Sequence, residues 1–296
     1  MTGPILLPLP GAEAFTDRLV QAGGFGRGGV ETRRFPDGEH YVRLSFDPAG
    51  CSILIVGEMP GPDDRFLTLA FVADALRDLG ARRIGLVAPY LGYMRQDARF
   101  LSGEAVTSRS FARLLAGLVD GLVTVDPHLH RFATLDALYT IPALTLHAAP
   151  LMGQWIAREI PHPLVIGPDA ESRQWACEVA AHAGAPLAVL DKQRHGDRDV
   201  RIRLPDLAPF AGRQPVLVDD IAASGRTLVA ASAALRERGF APPVCVVVHA
   251  LFGGDAFAAV SAVAGRVVST DTIAHPTNAI PVAALIAKAL SETGAP

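Results

Sequence analysis

The sequence predicts an α/β protein of two tandem units, each with a mainly parallel sheet flanked by helices. Three observations carry this. Strand-like apolar runs alternate with amphipathic helix patterns, the alternation restarts near Pro150, and 296 residues suffice for two domains at roughly 150 residues each. The first round reads as strand SILIVGEM (52–59), a helix within 63–79, strand IGLVAPY (84–90), a helix within 107–118 and strand GLVTVD (121–126). Parallel strands need crossover connections, which these helices supply. The helix within 63–79 spaces Phe66, Leu69, Ala70, Ala73 and Leu76 at intervals of three and four, with Asp74, Arg77 and Asp78 elsewhere, so one face should pack on a sheet. In the second round Pro150 suits the first turn of a helix through LMGQWIAREI. PLVIGPD (163–169), a helix at 171–183, PLAVLD (186–191), PVLVDD (215–220), a helix at 225–238 and VCVVVHALF (244–252) follow. The expected domains are 1–148 and 149–296, with a last helix near 282–292 packing back on the first. No residue-level repetition links the halves.

Half of the residues are hydrophobic, 19% are charged and the formal net charge is -3. That balance marks a globular chain and lacks the clustered excess of Lys and Arg that a nucleic-acid backbone requires, so nucleic acid is not an expected partner. No apolar run reaches the roughly 18 residues of a membrane span. The start MTGPILLPLPG has no basic leader pattern, and a cytoplasmic protein is expected. Cys51, Cys177 and Cys245 sit in apolar stretches, form no C-x-x-C pair and read as buried free thiols. GGFGRGG (23–29) follows no convincing strand and reads as a mobile loop, not a dinucleotide turn. KQRHGDRDVRIR (192–203), the most charged stretch, reads as a solvated hairpin.

Ligands of open parallel sheets bind beyond the carboxyl ends of the strands. Three predicted strand ends carry acids or histidine: Asp126 with His128 in VTVDPHLH, Asp169 in VIGPD, and Asp219 with Asp220 in VLVDD. Each has a plainer reading, since Asp caps helices and a histidine can be simply hydrogen-bonded. VLVDDIAASGRT (216–227) is more specific. Gly225 lets backbone amides converge, Ser224 and Thr227 add hydroxyls, and the next helix offers its positive N-terminus, a combination suited to a phosphomonoester. Asp219 and Asp220 would repel that phosphate but match the vicinal hydroxyls of a ribose, as acceptors or through Mg²⁺.

This order of strand, two acids, three variable residues and Ser-Gly-x-Thr resembles the phosphoribosyl-diphosphate motif of type I phosphoribosyltransferases. Taken with RFPDGEHYVRL (34–44), APYLGYMRQDARF (88–100), TVDPH (124–128), GPDAES (167–172) and DKQR (191–194), the chain resembles the ribose-phosphate diphosphokinases in motif order and spacing over nearly its whole length. The resemblance implies two tandem type I phosphoribosyltransferase-like domains that transfer the diphosphoryl group of ATP to ribose 5-phosphate, with Mg²⁺. It assigns Phe35, Asp37 and Glu39, contributed by a neighbouring subunit, to the adenine end of ATP, and Arg95, Gln96 and Asp97 to the rest of that site. His128 and Asp169 correspond to Mg²⁺-binding residues, and Lys192 and Arg194 to a mobile catalytic loop. Asp219, Asp220, Ala223, Ser224, Gly225, Arg226 and Thr227 correspond to the ribose 5-phosphate site. A homo-oligomer, dimer or hexamer, with ATP at a subunit interface is implied as well.

Four departures mark a divergent member. Ala223 stands where relatives carry Asp or Ser, Arg226 replaces a glycine, DPHLHR replaces DLHA-E/D-Q, and Gln193 replaces a second basic residue. Ala223 and Gln193 favour the alternative of a catalytically weak regulatory homologue, whereas the N-terminal motifs argue against a simple phosphoribosyltransferase. His130, two residues beyond His128, raises a transition-metal site as the alternative to Mg²⁺. Steady-state kinetics of Lys192→Ala should show turnover lower by orders of magnitude with little loss of ATP affinity; near-normal turnover would remove this segment from the chemistry.

Overall fold

The computed structural model describes residues 3–129, 131–169, 172–195 and 199–293. The chain divides into two units, Met1–Leu146 with Ala283–Pro296, and His147–Val282. In the first, β1 (Ile5–Pro8), α1 (Glu13–Gly23) and β2 (Gly26–Arg27) precede an antiparallel hairpin of β3 (Val30–Arg34) and β4 (His40–Leu44). Then come β5 (Ser52–Val56), α2 (Pro62–Asp78), β6 (Arg83–Ala88), α3 (Thr107–Ala116), β7 (Gly121–Val125) and β8 (Ala143–Leu146). Six strands form a parallel sheet in the order β2-β1-β5-β6-β7-β8. The central strands β5, β6 and β7 are buried along almost their whole length, which is why they read as continuous apolar runs.

The buried face of α2 is Thr68, Leu69, Val72, Ala73 and Leu76, packed on Ile53, Ile55 and Leu86 of the sheet core. Phe66 and Ala70, expected on that face, are half-buried, and the Phe66 ring packs on the core edge 5.8 Å from that of Phe111 of α3. GGFGRGG is not a loop throughout. Gly24, at φ 66°, ends α1 with its amide donating to the Val20 carbonyl, and Gly26–Arg27 pair with β1, so the glycines serve a helix stop and an edge strand.

The second unit runs α4 (Ala149–Glu159), β9 (Pro163–Gly167), α5 (Arg173–Ala183), β10 (Leu187–Val189), and a hairpin of β11 (Asp191–His195) and β12 (Asp199–Arg203). β13 (Gln214–Ala222), α6 (Arg226–Glu237), β14 (Val244–Ala250), α7 (Ala256–Ser261), β15 (Arg266–Thr270) and β16 (Asn278–Ile280) complete it. Its sheet order, β10-β9-β13-β14-β15-β16, repeats that of the first unit strand for strand, and the antiparallel hairpin is inserted at the same point in both. The last helix, α8 (Ala283–Thr293), belongs to the first unit and packs against α1.

The cysteines differ from expectation. Only Cys245 is buried, in β14, where desolvation and then the Asp219 charge push its thiol up to about 12. Cys51 is half-buried and Cys177 is exposed, because it lies on the outer face of α5, away from the buried Ala176, Val179 and Ala180. No helix among the described residues is long and apolar enough to cross a membrane.

Candidate functional site

The corner between β13 and α6 holds the acids and the small-residue turn. β13 pairs with β9 only as far as Leu217 but with β14 out to Ala222, so Asp219 and Asp220 sit where the strand outreaches one neighbour and are half-buried. The Asp220 amide donates to Asp219 Oδ1 at 3.1 Å. Neither carboxylate caps α6. The N-cap residue is Gly225, without a side-chain cap bond, so the capping interpretation of the paired acids fails.

Gly225 has φ 68°, and a Cβ there would lie 2.6 Å from Val260 Cγ2 and 3.3 Å from the Ala256 carbonyl oxygen, so both conformation and space demand glycine. The amides of Phe252 and Gly253 donate to the carbonyls of Ala222 and Ala223 at 2.8 and 3.0 Å, strapping the turn to the segment after β14. The first amides of a helix have no intrahelical acceptor, so the turn and the start of α6 present donors toward an anion. Ser224 and Arg226 are exposed beside them, while Ala223 and Thr227 are half-buried.

The equivalent corner of the first unit, β5 to α2, shows what disables such a site. Gly61, at φ 55°, is again a left-handed N-cap, but Pro62 removes an amide and Asp63 and Asp64 occupy the first helical turn. The first corner thus lacks a donor and carries acids in the turn where the second has Arg226.

Two other strand ends resolve differently. Asp126, buried at φ 36° before Pro127, donates its amide to the Leu146 carbonyl at 2.9 Å. Asp271, in the equivalent place after β15, is buried too and donates its amide to Ile280 at 3.2 Å. The pair is a strand end common to both units, and His128, two residues further on in the first, is half-buried. After β9, Asp169 Oδ1 accepts the Ser172 amide at 3.0 Å and its carbonyl accepts Ser172 Oγ at 2.7 Å, a closed turn leading into α5.

Phe35, Asp37 and Glu39 form the exposed tip of the β3–β4 hairpin. The tip is rigidified by Phe35 N to the Glu39 carbonyl, Gly38 N to the Phe35 carbonyl, and Glu39 N to Asp37 Oδ1, at 2.8, 2.9 and 3.1 Å. Arg33 stacks on Phe35 and Tyr41, 4.6 and 4.2 Å from the ring centroids. In the segment after β6, Arg95 is exposed, Gln96 half-buried and Asp97 buried. Tyr93 bonds to Asp63 of α2, and that hydrogen bond holds its phenol above the usual range.

His128 belongs to the first unit and Asp169 to the second, and the described residues contain no cluster of three metal-ligating side chains. Mg²⁺ is commonly held through one or two carboxylates with water and substrate phosphates, so a single carboxylate such as that of Asp169 suits an ion that would arrive with substrate. Lys192 and Arg194 lie on β11, where their backbones pair with Ile202 and Val200; their side chains, and His130, lie outside the described residues. Sequence reasoning overlooked Val260 and Gly253, which fix the corner by contact and backbone bonding and belong to no local motif.

Comparison with known proteins agrees with this construction. Residues 5–118 match the N-terminal domain of ribose phosphate pyrophosphokinase, and residues 134–284 match the phosphoribosyl transferase domain. The chain is 36% identical over 265 residues to ribose-phosphate pyrophosphokinase of Methanopyrus kandleri, covering 88% of this chain and 89% of that protein. It is 35% identical over 265 residues to the protein of the same name from Methanothermobacter thermautotrophicus, covering 89% and 91%. The crystal structure of phosphoribosylpyrophosphate synthetase from Mycobacterium smegmatis has the same fold, with a TM-score of 0.86 over 99% of both chains at 23% identity. Fold and corner together define an α/β enzyme of two phosphoribosyltransferase-like domains. The chain belongs to the ribose-phosphate pyrophosphokinase family.

Gly225→Ala should cost about 1–2 kcal/mol from left-handed strain alone, lowering the melting temperature by about 2–8 °C, and should weaken sugar-phosphate binding by about tenfold or more. Thermal melting and ligand titration check both, and unchanged affinity would show that this turn does not hold the ligand.

Proposed function

We propose that the protein transfers the diphosphoryl group of ATP to the C1 hydroxyl of ribose 5-phosphate, giving 5-phosphoribosyl 1-diphosphate and AMP. The β13–α6 corner carries this reading, with two acids followed by a glycine turn at a helix start, in a chain whose residues 5–118 match the N-terminal domain of ribose phosphate pyrophosphokinase. The 5-phosphate sits on Ser224, Gly225, Arg226 and Thr227 beside Ala223, and the ribose hydroxyls face Asp219 and Asp220.

The C1 oxygen attacks the β-phosphorus of ATP, a bond forms between them, and the bond from the β-phosphorus to the oxygen bridging to the α-phosphate breaks. The proton of the C1 hydroxyl passes to solvent and AMP leaves. Such transfers depend on in-line positioning and neutralisation of phosphate charge more than on covalent chemistry from the protein. Arg95 offers a planar guanidinium fork to phosphate oxygens, and Lys192 and Arg194 add positive charge. Gln96 and Asp97 complete that end of the site. Mg²⁺ would be held by Asp169 and His128 with water and substrate oxygens, and would supply further charge neutralisation.

Phe35, Asp37 and Glu39 meet the adenine of ATP held by a neighbouring chain, so the active form is a homo-oligomer, a dimer or a hexamer. Their support is the rigid hairpin tip, which leaves Phe35 39% exposed on an isolated chain. Ala223 and Gln193 keep open the second reading, a weakly catalytic homologue that serves as a regulatory subunit.

Purified protein given ATP, Mg²⁺ and ribose 5-phosphate should form AMP and the diphosphorylated sugar in equal amounts, measured by chromatography. AMP without that sugar, or no AMP with any divalent metal, would overturn the proposal.

A further inference from the structure

The segment after β6 is anchored through one buried carboxylate. Asp97 is 5% exposed, and Arg131, from the segment after β7, donates through Nη1 to its Oδ1 at 3.0 Å. The other oxygen, Oδ2, is buried and has no hydrogen-bond partner among the described residues. An unpaired charge in a low-dielectric interior is costly, and Arg131 is the cation placed against this carboxylate.

The same Arg131 guanidinium lies 4.8 Å from the centroid of the Phe100 ring, so a single side chain grips the segment at Asp97 and again three residues later. Between Arg99 and Glu104 the segment is otherwise held by local bonds: Glu104 Oε2 accepts the amides of Phe100 and Leu101 at 2.7 and 3.1 Å, and Arg99 Nε donates to the Glu104 carbonyl at 2.8 Å. Those bonds shape the turn without tying it to the sheet. Gln96 is tied from the other side, its carbonyl accepting the Ser108 amide of α3 at 3.3 Å. Guanidinium geometry permits stacking and hydrogen bonding together, which an ammonium on a flexible stem reproduces only in part.

We infer that Arg131 is a positioning residue that acts through Asp97. By pairing with the buried carboxylate and stacking on Phe100, it fixes the backbone that carries the exposed Arg95 and the half-buried Gln96. The inference rests on the assignment of residues 95–97 to the ATP site. It gives a function to a position where the family resemblance leads one to expect glutamine.

The test is titration calorimetry with an ATP analogue carrying a methylene between the α- and β-phosphorus, and separately with ribose 5-phosphate. The proteins are the wild type, Arg131→Lys, Arg131→Ala, Asp97→Asn and the double variant Asp97→Asn with Arg131→Ala. Arg131→Ala should weaken analogue binding by about tenfold or more and Arg131→Lys by less, while ribose 5-phosphate binding stays within about twofold throughout. In the Asp97→Asn background, loss of Arg131 should add less than about threefold, because the two act as one unit. If Arg131→Ala does not fold, Arg131→Lys and the charge-neutral double variant carry the comparison.

Analogue binding by Arg131→Ala within about twofold of a wild type that binds would overturn this inference alone, as would equal losses for both ligands, which mark general destabilisation. A wild type that binds no analogue would overturn the ATP assignment and the inference with it.

Discussion

Gly225 decides where β13 ends and α6 begins. Its left-handed backbone and its contact with Val260 leave one conformation for the corner, and the bonds from Phe252 and Gly253 to Ala222 and Ala223 tie that conformation to the next strand. Everything the corner offers follows from this. The acids are set on the last rungs of a strand, the hydroxyls of Ser224 and Thr227 on the turn, and the open amides at the start of the helix. On the proposed reading, a hydroxyl-facing end and a phosphate-facing end are thereby separated by only a few residues, which sets the two carboxylates apart from the anion.

The two units show how one topology supports two tasks. Both have six parallel strands in the same order, both carry an antiparallel hairpin at the same insertion point, and both turn from the third sheet strand into a helix through a left-handed glycine. They differ in the chemistry placed on that frame. At the first corner Pro62, Asp63 and Asp64 remove a donor and add negative charge, and at the second Arg226 adds positive charge. The proposed roles of the hairpins diverge as well, with adenine recognition on β3–β4 and phosphate chemistry on β11–β12. On the proposed reading, the sugar phosphate takes the second corner and the nucleotide the first unit.

Much of this was legible in the residues, for reasons that differ by element. β5, β6, β7, β13 and β14 are buried on both faces and announce themselves as apolar runs. The corner at 219–227 was legible because its chemistry is local: acids, hydroxyls and glycine lie within nine residues. β2, with two residues, and β16, with three, are too short to set up any period. β3 and β4 have no fully buried residue, and their hairpin was not anticipated from the sequence. The wedge of Val260 and the pairing of Arg131 with Asp97 join residues more than thirty positions apart and leave no pattern in the sequence.

The central claim is that the β13–α6 corner is a sugar-phosphate cradle with a fixed polarity. A crystal structure of the protein with ribose 5-phosphate tests it directly. The 5-phosphate should lie on the turn at Ser224–Thr227 and the start of α6, with the ribose hydroxyls toward Asp219 and Asp220. A sugar phosphate bound elsewhere, or bound here with its phosphate against the acids, would contradict the account.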